Sequence, residues 1–132
     1  MSLIDRINAN PLPFAQLLGI EFISAEPDSL AARMLIRPDL CTMGGIAHGG
    51  AIMSFADTLG AAAAFINLPA DAKGTTTIES KINFVASAPA GSTLIGHTSV
   101  IHRGRRTQIW QTRVATEQEK LVALVVQTQI NL

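Results

Sequence analysis

The feature that most constrains the fold is an apolar run from residue 49 to residue 66, GGAIMSFADTLGAAAAFI, in which Asp57 is the only formally charged residue. Alanine, methionine, leucine and phenylalanine favour a helix here, and Gly49 and Gly50 mark its N-terminus. Polar residues interrupt the run, so it is a poor candidate for a membrane span. The run therefore predicts a long helix in the core of a folded domain.

The rest of the chain has the pattern of a sheet. Short helical segments are predicted at residues 2–9 and 14–19. Alternating apolar and polar residues predict six strands, two before the long helix and four after it, at residues 20–26, 30–37, 75–86, 92–103, 106–116 and 120–132. A sheet of this size must bury one face, and the long helix is the only large apolar element available to cover it. We therefore predict an α+β fold, with an antiparallel sheet of about six strands wrapped around a central helix, in one domain over residues 1–132.

In three of these strands, the alternation also predicts which apolar side chains share one face. The residues predicted to share a face are Leu30, Ala32, Met34 and Ile36 in the second strand, Ile78, Ile82 and Phe84 in the third, and Val122, Leu124, Val126 and Ile130 in the last.

The composition limits the classes of function. Hydrophobic residues make up 48% of the chain and charged residues only 15%, which suggests a deeply buried helix or apolar surface covered by partner subunits. Ten basic residues balance ten acidic ones, so no bulk charge favours nucleic acid or an anionic membrane as a partner. The single cysteine, Cys41, excludes an intrachain disulfide framework, and the N-terminus lacks the apolar core of a signal peptide. We expect a cytoplasmic protein.

Asp57 needs an explanation, because an unpaired carboxylate is costly to bury. One interpretation is a partly exposed side chain that pairs with a polar neighbour such as Thr58. The other is a general base or nucleophile. The helix N-terminus favours the second, since the backbone N–H groups of Gly49 and Gly50 and the helix dipole suit the oxyanion that develops in acyl transfer. His48, just before them, can hydrogen-bond a carbonyl.

The spacing of these groups predicts an assembly. Gly49 and Asp57 are eight residues apart, or about 12 Å along a helix axis, so both cannot contact one carbonyl from the same chain. If both act, the carboxylate must come from a second helix lying antiparallel across a two-fold axis. This predicts a dimer with two active sites shared between its subunits.

The segment GGIAHGGAIMSFADTLGAAAA, residues 44–64, resembles the signature of the hotdog-fold acyl-CoA thioesterases, in the PaaI-like branch associated with phenylacetic acid degradation. Residues 75–114 are also similar to the later strands of that family. The resemblance implies hydrolysis of an aryl-acetyl or short-to-medium-chain acyl-CoA to the acid and coenzyme A. It also implies dimers, or tetramers built from two dimers. Coenzyme A is then part of the substrate, and no metal or other cofactor is needed.

The resemblance also implies roles for individual residues. Asp57 matches the catalytic carboxylate, which either activates water or attacks the acyl carbon. Gly49 matches the residue whose N–H polarises the thioester carbonyl, His48 the histidine that helps to position it, and Thr77 a hydroxyl that helps to hold the nucleophilic water.

The resemblance also implies substrate-binding residues in the loop before the helix and at the start of the helix. Gly45 and Gly50 retain the glycines of the family. Thr42 stands where the family often has asparagine, which bears on how water or the thioester is positioned.

The run HRGRRT, residues 102–107, has two interpretations. It is typical of a solvated hairpin turn. It also suits the phosphates of coenzyme A, because arginine forks bind phosphate, and the candidates are Arg103, Arg105 and Arg106.

Four other features have simpler explanations. Cys41 has no local base or cation to activate it and is expected to be a packed or loop thiol. His97 and His102 are five apart on a predicted strand, hence on opposite faces, so a zinc site is not predicted. Trp110 is expected in the core or an interface, and Gln16 and Leu17 in the core or an acyl pocket.

Two alternatives to a thioesterase remain open. A hotdog dehydratase or hydratase would act on acyl thioesters, but such enzymes place the histidine and the carboxylate differently. A non-catalytic acyl-CoA-binding module would not need Asp57, and no nucleic-acid-binding segment is added to the chain.

Overall fold

The computed structural model describes residues 1–132. Its helices and strands follow in the order α1 (Leu3–Asn8), α2 (Pro13–Leu18), β1 (Glu21–Glu26), β2 (Ser29–Leu35), α3 (Gly49–Ile66), β3 (Thr75–Phe84), β4 (Thr93–Arg103), β5 (Thr107–Thr116) and β6 (Leu121–Asn131). The six strands form one sheet in the order β1–β2–β4–β5–β6–β3, and every neighbouring pair is antiparallel. The predicted α+β fold class is confirmed.

Helix α3 is the centre of the core. By length and hydropathy it could cross a membrane, but half of it is buried inside the fold, where it packs on the sheet. Phe55 and Leu59 are fully buried against the sheet. Gly96 on β4 is required for this close packing, because a Cβ atom there would lie 2.5 Å from Leu59 Cδ2. The helix thus packs on one face of the sheet, as predicted.

Of the three predicted apolar faces, the one on β2 is confirmed, since Leu30, Ala32 and Met34 are buried, as is Ile36 just after the strand. The prediction for β3 is wrong at Ile78. A β-bulge between Thr77 and Glu79 shifts the register, and the side chain of Ile78 is 57% exposed. Because a bulge adds one residue, Thr77 before it and Ile82 after it face α3 together.

The apolar face predicted for β6 is divided, since Val122 is fully buried, next to a register shift in the pairing of β5 with β6, while the other three residues are not. The residues that face α3 are Ala123, Val125, Gln127 and Gln129, all of them buried. Leu124, Val126 and Ile130 lie on the outer face and are partly exposed. Two glutamines therefore occupy core positions where apolar alternation predicted none.

Candidate active site

The first turn of α3 leaves one backbone N–H free. His48 caps the helix by accepting a hydrogen bond from the Gly50 N–H at its Nδ1 atom, at 2.8 Å. The N–H groups of Ala51 and Ile52 bond to the His48 carbonyl at 2.9 and 3.3 Å. The Gly49 N–H has no acceptor within the chain. Of the two amides that the sequence offered for an oxyanion, only that of Gly49 is free; that of Gly50 is bound to His48.

The cap also fixes what His48 can do. Because Nδ1 accepts a hydrogen bond, the neutral ring carries its hydrogen on Nε2, which is a donor. The side chain lines a cavity of about 380 Å³, together with Gly50, Ser54 and Leu17. Leu17 thus lies beside the helix N-terminus, whereas Gln16 lines a separate, smaller cavity. His48 therefore has a hydrogen to donate at the wall of this cavity.

Gly49 is covered on one side by an aromatic ring. A Cβ atom at Gly49 would lie 3.1 Å from Phe84 Cζ on β3. The ring is about half exposed, and it shields the backbone of the first helical turn. Any side chain at position 49 would have to displace Phe84.

The loop before the helix is closed by backbone hydrogen bonds. The Thr42 N–H bonds to the Ile46 carbonyl at 2.8 Å, and the Ala90 N–H bonds to the Gly45 carbonyl at 2.9 Å. Gly45 has φ +68°, in the left-handed region that favours glycine. The Thr42 side chain is exposed and makes no hydrogen bond within the chain. The loop geometry therefore depends on Gly45 rather than on the Thr42 side chain.

Asp57 is half-buried, and one of its two oxygens is held. Its Oδ1 atom accepts hydrogen bonds from Thr77 Oγ1 at 2.6 Å and from Gln127 Nε2 at 3.2 Å. Its Oδ2 atom has no hydrogen-bond partner, and Asp57 forms no salt bridge. Thr58 does not pair with it, since the Thr58 hydroxyl donates to the Ser54 carbonyl at 2.7 Å. The carboxylate is thus oriented by β3 and β6 and presents one free oxygen.

The sequence predictions missed the glutamines on β6. Gln127 and Gln129 are 1% and 0% exposed, and Gln127 Nε2 donates to Gln129 Oε1 at 3.1 Å. Gln129 also contacts the Thr77 hydroxyl and donates to Thr75 Oγ1 at 3.1 Å. The sequence QTQ within a valine-rich strand was the signal that could have indicated them. Amides are rarely buried without a hydrogen-bond partner, so glutamines in a core strand point to a group that they bind.

The three arginines of the β4–β5 hairpin divide into two groups. The Arg103 guanidinium donates to the Pro27 carbonyl, to Asn67 Oδ1 and to Asp28 Oδ1, at 2.9, 2.8 and 2.6 Å. Arg105 and Arg106 are exposed and line a cavity of about 220 Å³. Asn67 is the C-cap of α3, so the hairpin lies at the opposite end of this 18-residue helix from Gly49, about 27 Å away.

The remaining candidates are structural. Trp110 is fully buried, as expected for a core residue, and its Nε1 atom donates to Gln108 Oε1 at 3.0 Å. The Cys41 thiol is half-buried and donates to the Arg37 carbonyl at 3.4 Å.

Comparison with known proteins places the fold in a class. A family model described as the thioesterase superfamily matches residues 44–123. The acyl-coenzyme A thioesterase PaaI of Escherichia coli is 30% identical over 112 residues, which cover 83% of this chain and 76% of that protein. The solved structure of E. coli PaaI aligns with a TM-score of 0.87 at 25% identity, over 97% of this chain and 89% of that one.

Two further relatives agree. The 1,4-dihydroxy-2-naphthoyl-CoA hydrolase of Listeria monocytogenes is 27% identical over 110 residues, covering 83% of this chain and 87% of that protein. The structure of a mutant of the phenylacetic acid degradation protein PaaI from Thermus thermophilus has a TM-score of 0.84 at 26% identity, over 92% of this chain and 100% of that one.

The protein is a hotdog-fold thioester hydrolase. The chain belongs to the thioesterase superfamily, and its relatives assign it to the PaaI-like branch.

Proposed function

We propose that the protein hydrolyses aryl-acetyl or short-to-medium-chain acyl-CoA to the free acid and coenzyme A. The observation that carries this proposal is the hydrogen bonding of Asp57. Its Oδ1 atom accepts from two donors, while its Oδ2 atom is free. This carboxylate lies on the same helix as the one free amide, that of Gly49. The E. coli relative is an acyl-coenzyme A thioesterase and the L. monocytogenes relative a naphthoyl-CoA hydrolase, which supports acyl-CoA as the substrate class.

The active site is proposed to form between two subunits. Asp57 and Gly49 are about 12 Å apart along one helix, too far to act on the same carbonyl. β3 is an edge of the sheet, ten residues long, and near its end Phe84 and Val85 are 53% and 58% exposed. A long edge with exposed apolar residues suits pairing with a second copy. Pairing β3 with its two-fold mate would bring Asp57 of one chain towards Gly49 of the partner subunit.

The chemistry then follows from the two half-sites. Asp57 Oδ2 removes a proton from a water molecule while the water oxygen attacks the thioester carbon. Thr77 helps to hold that water. The Gly49 N–H and the His48 Nε2–H of the partner subunit stabilise the oxyanion of the tetrahedral intermediate. Collapse of the intermediate breaks the C–S bond, and the thiolate of coenzyme A takes up a proton.

A covalent route uses the same groups. Asp57 Oδ2 attacks the carbonyl and expels the thiolate, which forms a mixed anhydride, and water then hydrolyses that anhydride to the acid. Both routes need the free Oδ2 atom and the free amide.

A large apolar cavity suits the acyl group. It has a volume of about 620 Å³ and is lined by Leu12, Ala61, Phe65 and Thr75, among other residues. Ala61 is one helical turn beyond Asp57, so an acyl group attacked at Asp57 can extend into this space. Its apolar lining favours an aryl or alkyl group over a charged one.

The arginine hairpin is proposed to bind the phosphates of coenzyme A through Arg105 and Arg106, whose guanidinium groups are exposed. Arg103 is engaged by Asp28, Asn67 and the Pro27 carbonyl, so its role is to hold the hairpin. If so, Arg106→Ala raises the KM for acyl-CoA but not for the matching acyl-pantetheine, which lacks the nucleotide. An equal rise for both substrates would argue against a phosphate contact.

The wider assembly follows the same proposal. Half-exposed apolar residues on the outer face of the sheet, Ile23 and Leu35, offer a surface on which two dimers can join as a tetramer. The reaction as written uses no metal or redox cofactor and needs no nucleic acid or membrane partner. A cytoplasmic location stays a prediction.

The proposal is tested by measuring thiol release from a panel of aromatic and aliphatic acyl-CoA esters. We expect turnover that is highest for arylacetyl or medium-chain esters. The absence of thiol release from every ester, by protein shown to be folded, would overturn the proposal.

The shared site is tested with hybrid dimers. Asp57→Ala and Gly49→Val protomers are each expected to be inactive, but a hybrid dimer has one intact site. Random mixing should therefore restore about a quarter of the wild-type activity. No recovery, despite subunit exchange confirmed by mass spectrometry, would contradict a site shared across the two-fold axis.

A further inference from the structure

The buried glutamines of β6 need an explanation of their own. Gln127 and Gln129 are almost completely buried, and the residues before them on the same face, Ala123 and Val125, are apolar. Burying an amide is costly unless its polar atoms are bonded. A strand that only filled the core would carry apolar residues at both positions, so the explanation lies in what the amides hold.

Gln127 is directed at Asp57. Its Nε2 atom lies 3.2 Å from Asp57 Oδ1, 3.3 Å from the Asp57 carbonyl oxygen and 3.1 Å from Gln129 Oε1. A carboxylate only accepts hydrogen bonds, so the amide nitrogen must face it. The other end of the amide, Oε1, is buried without a hydrogen-bond partner. The contact with Asp57 therefore sets the orientation of Gln127, although it leaves an acceptor unbonded.

Helix α3 makes room for this contact. A Cβ atom at Gly60 would lie 2.2 Å from Gln127 Cδ. Glycine inside a helix is less stable than alanine, and Gly60 is followed by four alanines. The Gln127 side chain thus occupies the space that a side chain at position 60 would fill. The absence of a side chain at Gly60, one turn after Asp57, is what lets Gln127 reach the carboxylate.

Gln129 extends the hydrogen-bond network to β3. Its Oε1 atom accepts from Gln127 and contacts the Thr77 hydroxyl, and its Nε2 atom donates to Thr75 Oγ1. Gln127 and Thr77 are the two donors to Asp57 Oδ1. Gln129 touches both of them, so it fixes their positions relative to each other.

We propose that Gln127 and Gln129 are positioning residues, which hold Asp57 through Oδ1 so that Oδ2 is presented to the substrate. The inference rests on the proposed function, in which Asp57 is the reacting group. Misplacing a reacting group by about 1 Å can cost about a hundredfold in rate. Neither glutamine touches the substrate in this scheme, so their loss acts on kcat and not on KM.

The test replaces each glutamine with methionine, which keeps the length of the side chain and removes the amide. We expect Gln127→Met and Gln129→Met to lower kcat by about tenfold to a hundredfold, with KM for the best acyl-CoA ester unchanged. The matched control is Gln108→Met on β5. Gln108 is equally buried, but it bonds to the Ala64 carbonyl and to Asn131 instead of Asp57, so this variant should retain kcat.

A second variant covers the case in which Gln127→Met does not fold. Gly60→Ala keeps both glutamines and adds one methyl group against Gln127, so it should also lower kcat without raising KM.

In an Asp57→Asn background, Gln127→Met should lower the residual rate no further, because the group that it positions is already gone. Thermal unfolding of every variant checks that the fold is retained.

The outcomes separate the two proposals. If the wild type hydrolyses acyl-CoA while folded Gln127→Met and Gln129→Met keep its kcat, the positioning role is overturned and the proposed function stands. A kcat loss in Gln108→Met as large as in Gln127→Met would equally overturn it, since any buried amide would then have the same effect. No turnover by the wild type on any ester would overturn the proposed function, and the positioning role with it.

Discussion

The two functional regions of α3 are built in opposite ways. At its N-terminus, the polar contacts are made by neighbours in sequence: His48 accepts from Gly50, and the free amide is that of Gly49 between them. At Asp57, the partners come from 20 and 70 residues away, Thr77 on β3 and Gln127 on β6. A helix end can therefore be prepared locally for an anion, whereas a carboxylate in the middle of the helix depends on the sheet around it.

The largest expected effect is at the centre of the helix. Asp57→Asn keeps the size of the side chain and removes its negative charge, so the group can no longer act as a base or nucleophile. We expect kcat for acyl-CoA hydrolysis to fall by about 10²- to 10⁴-fold. The measurement is thiol release, with thermal unfolding to show that the fold is retained. Unchanged turnover would remove Asp57 from the mechanism.

His48→Ala tests the helix N-terminus and comes next in size. It removes the cap and a hydrogen-bond donor together, so the unfolding free energy should fall by about 1 kcal/mol and kcat by about 10²- to 10³-fold. His48→Asn keeps a capping side chain but not the ring. If His48 donates to the oxyanion, His48→Asn recovers stability in urea unfolding and not kcat. Recovery of both stability and kcat would show that His48 acts only as a helix cap.

Thr77→Val tests how far Asp57 depends on β3. A hydrogen bond to a charged group contributes about 1.5–3 kcal/mol, so we expect kcat to fall by about tenfold to a hundredfold. Thr77→Ser retains the hydroxyl and should stay near the wild-type kcat. If the serine variant loses as much activity as the valine variant, the hydrogen bond to Asp57 is not the reason.

The smallest expected effect is at Thr42, in the loop that leads to the helix N-terminus. Its side chain is exposed and unbonded, so Thr42→Asn, which introduces the amide common in the family, can add one hydrogen bond to the substrate or water. A neutral hydrogen bond contributes about 1 kcal/mol, so kcat/KM should rise by about fivefold. A fall in kcat/KM would show that threonine is needed there.

The limits of prediction from sequence follow the same division. The ends of α3 were predictable because Gly49 and Gly50 follow a capping residue and the apolar run stops at Ile66. The face of β2 was predictable because its alternation is regular. Ile78 was assigned to the wrong face, because a bulge leaves no clear mark in a run such as TTTIESKINF. The buried glutamines of β6 were overlooked, because valines and leucines on both faces concealed which face is buried.

The sequence by itself determined the fold class, the start of the central helix and the presence of one carboxylate that a core helix does not need. These features depend on local propensities and on the period of the apolar pattern. Only the tertiary structure decided which atoms meet Asp57 and that Arg103 is engaged by Pro27, Asp28 and Asn67 of its own chain. The physical reason is that partners across a sheet depend on register, and one added residue in β3 exchanges the faces on which Thr77 and Ile78 lie.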